Sequence, residues 1–299
     1  MEIKCRVNGK IQTITIPDDM VFRGNLNLSN MGLTELPDLS AVTVTGDFDC
    51  SWNNLTKLAG APKSVGGDFY CYNNKLTSLV GVLEKVEGDF NCICNELTSL
   101  AGAPKSVGGY FDCSGNQLTS LVGAPKSVGG MFNCYHNQLT SLVGAPEKVE
   151  RHFDCSGNQL TSLAGAPKSV GGDFDCSDNQ LTTLDGAPQT VGGGINCRAN
   201  QLTTLAGAPK SVGEDFDCSD NQLTSLDGAP QTVGGDFDCS GNKLLMSLDG
   251  FTSEIGGDFI CDKESLKAEY TKIQLAARVA AKQKEISAEL ARQAKQRKK

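Results

Sequence analysis

The stretch from Phe153 to Asp173, FDCSGNQLTSLAGAPKSVGGD, is one copy of a 21-residue unit that returns almost without interruption along the chain. Phenylalanine recurs at 48, 69, 90, 111, 132, 153, 174, 216, 237 and 259, with Ile195 in the one remaining slot. A cysteine follows each of these positions by two residues, from Cys50 to Cys261. An asparagine follows all but the last by five, from Asn53 to Asn242. Leucines such as Leu160 and Leu163 come next, then a Gly165-Ala166-Pro167 corner and Val170 ahead of Gly171-Gly172. A period of 20 to 50 residues kept this strictly signals a solenoid. The expected fold class is a mainly β repeat rod of about 12 rungs, on the order of 55 Å long at the usual strand spacing.

Within one unit, Phe153 and Cys155 alternate with polar residues, as a strand with one buried face requires. Asn158 falls where the chain must turn inward. Its amide both donates and accepts, so stacked copies can satisfy peptide groups that would otherwise be orphaned. The Gly-Ala-Pro corner and the double glycine read as tight bends. A 21-residue turn leaves room only for a short extended segment on the outer side.

Phe153, Cys155, Asn158, Leu160 and Leu163 stand at relative positions 1, 3, 6, 8 and 11. This spacing resembles the leucine-rich-repeat motif over residues 26 to about 261, in register ten times or more. The units look like the short repeats of bacterial and bacteriophage proteins, and they match the repeats of injected bacterial effectors in length. Those effectors carry a Leu-Pro-x-Leu-Pro element where this chain has Gly-Ala-Pro, and the residues after the repeats do not resemble their ubiquitin-ligase domain. Ligase activity is therefore not implied. What the resemblance implies is protein recognition, through the strand face.

The flanks read differently. Residues 1–25 contain EIKCRVNGKIQTITI, in which Asn8-Gly9 between two β-branched runs predicts a hairpin with a type I′ turn that covers the first rung. Leu26, Leu28, Leu33 and Leu36 make a degenerate first repeat with Met31 in the asparagine slot. One extra residue near Leu245-Met246 predicts a bulge. Residues 262–299 lack Gly and Pro, and predict a basic amphipathic helix with Asp262 as its N-cap. Leu266, Tyr270, Ile273, Ala276, Val279, Gln283, Ile286, Leu290 and Ala294 trace its apolar stripe, and the AKQRKK end is expected to fray. Such a helix could cap the last rung, pair with copies of itself, or meet an acidic partner. Basic residues at a helix C-terminus also suit its dipole.

Charge is unevenly divided. Residues 262–299 hold 11 Lys and Arg against 5 Asp and Glu, which leaves 16 against 30 for the rest. Eleven of the thirteen cysteines share one inward slot, where a thiol fills space beside Phe and Leu, so they read as reduced core residues rather than disulfides or metal ligands. No apolar run is long enough for a bilayer, and MEIKCRVNGK lacks a signal-peptide core. The expected location is the cytoplasm of a bacterium or phage-infected cell.

The outward strand positions carry the differences between repeats. Pairs such as Asp47 and Asp49, Asp173 and Asp175, Asp215 and Asp217 line both ends. These rows admit three readings: a solvated face, a divalent-cation site, or a nucleic-acid mimic that inhibits a nucleic-acid enzyme. In the middle rungs large side chains take over. Trp52, Tyr70, Tyr72, Tyr110, Tyr135, His136, Arg151 and His152 form the candidate partner-binding set, since such residues anchor protein interfaces. No catalytic, metal or cofactor site is expected: Cys134 and Cys155 occupy the inward slot, exposed Cys94 has no histidine on its rung, and VGGD is a bend. The expected function is non-enzymatic protein binding, with self-assembly through 262–299 as the rival. Neither nucleic acid nor membrane is the expected partner.

Overall fold

Each phenylalanine of the 21-residue repeat opens a two-residue strand, and each strand lies parallel to its counterpart one unit away, Phe153 opposite Phe132 on one side and Phe174 on the other. The computed structural model describes residues 1–16 and 19–296. Among them, twelve such strands from Leu26–Asn27 to Phe259–Ile260 make one continuous parallel sheet. A second row of two-residue strands, such as Ser169–Val170, runs along the adjoining side in sheets of nine and three strands. The outer segment is therefore extended, as a 21-residue turn requires. Its first strand, Val21–Phe22, pairs with Thr43–Val44 and so lies ahead of Leu26 in the chain.

The core is a set of ladders. Phe69, Phe90, Phe111, Phe132, Phe153 and Phe174 stack with ring centroids 5.3–5.8 Å apart, and Ile195 interrupts the run before Phe216. Beside them the cysteine thiols are buried, unpaired, and donate to the next rung, as from Cys155 Sγ to the Asp175 carbonyl at 3.2 Å. The asparagine ladder behaves as the sequence requires. Asn158 Nδ2 donates to the carbonyls of Cys134, Cys155 and Ser156, and its Oδ1 accepts from Leu139 N at 3.0 Å. Among the described residues, every buried side-chain nitrogen and oxygen has a hydrogen-bond partner.

The glycines divide into two kinds. Gly165 has φ of 89°, a left-handed corner that only glycine adopts at little cost. Gly171 and Gly172 do occupy the bend between the two strands, but neither lies in the left-handed region. The reason for glycine at 171 is close approach, since a Cβ there would run into the Glu150 carbonyl of the preceding rung.

Both ends are closed. Strands β1 (Glu2–Val7) and β2 (Lys10–Thr15) form the hairpin, with Asn8 and Gly9 at φ of 50° and 76° as a type I′ turn demands. It buries Ile3, Cys5 and Ile16, while Arg6 donates to the Ser29 and Asn30 carbonyls on the open edge of the first rung. At the other end helix α1 (Glu264–Gln296) begins. Tyr270 stacks on Phe259 at 4.5 Å and 19°, which adds one more ring to the phenylalanine ladder. Glu269 Oε1 accepts from Leu248 N, replacing a carbonyl that a further rung would supply.

Three details of this end differ from the sequence reading. Asp262 does not cap α1; it accepts from Gly241 N, and the Lys263 carbonyl receives the first helical N–H. The extra residue bulges out Leu244 while Leu245 fills the leucine slot. The helix also carries two apolar stripes instead of one. Leu266, Tyr270 and Ile273 pack on the rod, and every described side chain from Leu275 onward is exposed. The part of the AKQRKK end beyond Gln296 lies outside the described residues.

Candidate functional site

The outward face of the twelve-strand sheet is organised in columns, because equivalent residues of successive rungs lie about 4.8 Å apart. The column preceding Phe is mostly aspartate, and its carboxylates tie rungs together. Asp47 Oδ1 accepts from Asp68 N, Asp68 from Asp89 N, and Asp215 from Asp236 N, at 2.7–2.9 Å. The column following Phe closes the strand end. Asp154 Oδ1 accepts from the N–H and hydroxyl of Ser156 at 2.9 and 2.7 Å, and Asn133 does the same for Tyr135 N. The aspartates of the first column thus connect rungs and those of the second close strand ends, in both cases through an oxygen committed to the backbone.

At the end of each strand one residue turns into the left-handed region. Gly115, Gly157 and Gly241 take this slot in some rungs; Trp52, Asn73, Cys94, His136, Asp178, Ala199 and Asp220 take it in others, at φ of 50–55°. Aspartate and asparagine tolerate this conformation, whereas Trp and His hold it at a cost of about 1–2 kcal/mol.

The eight candidate binding residues do not form one patch. Trp52 is 59% exposed and meets Tyr72 edge-to-face at 6.4 Å, and Tyr72 meets Tyr70 in the same way at 6.3 Å. The Tyr70 hydroxyl donates to Asp68 Oδ2 at 2.6 Å, which fixes the far end of this group. Tyr135 and His136 make a second edge-to-face pair at 5.0 Å, three rungs from Tyr72 or about 14 Å along the sheet. Between them lie Ile93 and exposed Cys94, then the small residues Ser114 and Gly115. Tyr110, Arg151 and His152 sit at the opposite end of the strands. The Tyr110 ring covers Gly130, and His152 Nδ1 accepts Asp173 N–H at 3.0 Å in place of a connecting carboxylate.

No family model and no curated protein sequence matches the chain. Solved structures do. YopM, a leucine-rich effector protein from Yersinia pestis, superimposes with a TM-score of 0.54 at 25% identity over 81% of this chain and 69% of that one. The fold is a leucine-rich-repeat solenoid. YopM from Yersinia enterocolitica WA-314 gives 0.39 at 20% identity, and the functional domain of InlJ from Listeria monocytogenes, which includes a cysteine ladder, gives 0.42 at 22%. The match covers 80% of this chain in both cases, and 64% and 53% of theirs.

In this leucine-rich-repeat solenoid the histidines and cysteines of the middle rungs are kept apart by burial. Cys134 and Cys155 are fully enclosed, and burial pushes their thiols well above the usual range, so neither is a thiolate beside exposed His136. Among the described residues no three His, Cys, Asp or Glu side chains are grouped to hold a metal ion, and no helix is long and apolar enough to cross a membrane. Sequence reasoning missed one exposed apolar column. Val80, Val122 and Val143 follow the second leucine of their rungs and are 54–65% exposed, in a slot that Ala or Asp fills elsewhere. The signal was the alternation of Ala, Val and Asp at that slot.

The strand-end aspartates also set a pH dependence. Burial, more than the neighbouring Asp175 carboxylate, raises the Asp154 carboxyl above its ordinary 3.8. The folded protein therefore holds this proton more tightly than the unfolded chain. The penalty is absent below the unfolded value and complete once pH exceeds the raised folded value, so stability is lost as pH rises through that window. Asp154→Asn keeps the Oδ1 acceptor and removes the charge. Thermal unfolding should show the variant more stable than wild type at about pH 7 and equal to it at about pH 3.

Proposed function

We propose that this protein is a binding module that recognises another protein through the strand-end column of its front face. Trp52, Tyr72, Tyr135 and His136 are the anchors, and Tyr70 buttresses the first pair. Tyr110, Arg151 and His152 border the same sheet from its other end and would contact only a partner broad enough to cross it. The observation that carries this reading is the backbone under Trp52 and His136. A left-handed slot that asparagine or glycine fills in the neighbouring rungs instead displays two large rings at a cost in stability. Aromatic groups held rigidly and exposed are the usual anchors of protein interfaces. The likeness to a leucine-rich effector supports binding over catalysis. The proposed setting is the cytoplasm of a bacterium or infected cell.

Trp52→Gly and His136→Gly should leave the unfolding free energy equal to wild type or higher by up to about 1 kcal/mol, because each relieves a left-handed side chain. Affinity capture from a bacterial lysate should return a protein with the intact chain and lose it with Tyr72→Ala/Tyr135→Ala. A partner retained by that double variant, with circular dichroism unchanged, would refute the strand-end column. Loss of the partner only with Tyr110→Ala would move the site to the other end of the sheet.

A further inference from the structure

Helix α1 changes character where it leaves the rod. Its first turns use Leu266, Tyr270 and Ile273 against the last rung. Leu275 comes nine residues after Leu266, about two and a half turns on, and so faces the opposite way. Leu275, Val279, Ile286 and Leu290 then fall within one narrow stripe, and they are 54–63% exposed. The stripe spans about 22 Å of helix. A helix gains most of its stability in water from packing an amphipathic face, yet the described side chains beyond Gln274 pack on nothing in the single chain.

The charges beside this stripe identify what covers it. Arg278, Lys282 and Glu285 are spaced by four and three residues, so they share one flank. Their order is two cations followed by an anion. The other flank, at Ala276, Gln283 and Ser287, carries no charge. When two identical helices run antiparallel, a flank meets itself reversed; when they run parallel, it meets the opposite flank. Only the antiparallel pair sets Lys282 of one copy beside Glu285 of the other. The same arrangement places Leu275 level with Leu290, and Val279 with Ile286. We propose that residues 275–290 of α1 pair antiparallel with the same segment of a second copy, giving a twofold dimer whose rods extend in opposite directions. This rests on the helix alone and is independent of the strand-face reading.

Light scattering on the full chain over a concentration series should show the mass rise from 31.6 kDa toward twice that value. Val279→Glu/Ile286→Glu should hold it at 31.6 kDa with thermal unfolding of the rod unchanged, since both positions are exposed. Arg278→Glu/Lys282→Glu and Glu285→Lys should each be monomeric alone and should restore the doubled mass when mixed. A monomer at every concentration would overturn the pairing, and so would a dimer that survives the Val279→Glu/Ile286→Glu change. Charge variants that dimerise as wild type, or a mixture that does not recover, would overturn the antiparallel register.

Discussion

Replacing Asn158 by Ala should lower the unfolding free energy by about 3 kcal/mol or more, the cost of stranding several buried backbone groups at once. The side chain makes four hydrogen bonds from a buried site: Oδ1 accepts from Leu139 N at 3.0 Å, and Nδ2 donates to Cys134, Cys155 and Ser156 carbonyls at 3.0–3.1 Å. Water cannot replace them without entering the core. Asn158→Asp should be no better, because a carboxylate keeps the acceptor and points its second oxygen at three carbonyls. Exposed Gln159, the next residue, is the control, and its change to Ala should stay within about 0.5 kcal/mol. Urea unfolding followed by circular dichroism measures all three. Rungs depend only on their neighbours, so the Asn158 variants should also broaden or split the transition. A single transition at the wild-type midpoint would show that the ladder contributes little.

Those four bonds illustrate how much of the fold could be read from residues alone. A strictly repeated Asn among Phe, Cys and Leu has one physical use, and the chain supplies it rung after rung. The NG hairpin was equally legible, since it is set by local backbone chemistry; the extra residue was legible too, but not that Leu244 is the one pushed out. Features that depend on the neighbouring rung were not. An outward-facing aspartate looks the same in sequence whether it is merely solvated or binds the next rung, as half-buried Asp47 does to Asp68 N. Gly171 reads as a bend residue, although its requirement comes from the Glu150 carbonyl one rung away. The helix was harder still. A single stripe drifting from Leu266 to Ala294 fits the sequence, and only docking of Tyr270 on Phe259 shows that the apolar face is used on one side and then on the other. For the candidate site, the residue types were legible and their grouping was not. Tyr110 precedes Phe111 and Tyr72 follows Cys71, so their places along the strands could be read, but the edge-to-face contacts among Trp52, Tyr72 and Tyr70 could not.

Phe153→Ala should cost about 4 kcal/mol, toward the upper end for loss of a buried aromatic ring. The ring lies between Phe132 at 5.3 Å and Phe174 at 5.8 Å, nearly parallel to both, and is fully buried. The cost of a large-to-small change depends on how far the surroundings can collapse into the gap, and here they cannot. Phe132 N donates to His152 O, and Phe153 N to Asp173 O, both at 2.9 Å, so the backbone ladder fixes the rung spacing on either side of the missing ring. The asparagine bonds hold the other end of the same rungs. Closing the cavity would mean breaking these ladders. The chain contains its own reference for a milder change, because Ile195 fills this slot between Phe174 and Phe216 and is 3% exposed. Phe153→Ile should therefore cost only about 1–2 kcal/mol, since most of the volume is kept and only the stacking is lost. Chemical denaturation of the two variants tests the argument through their difference. A loss of about 2 kcal/mol or less for Ala would mean that the rungs do close up, and that the hydrogen-bond ladders yield more easily than their geometry implies.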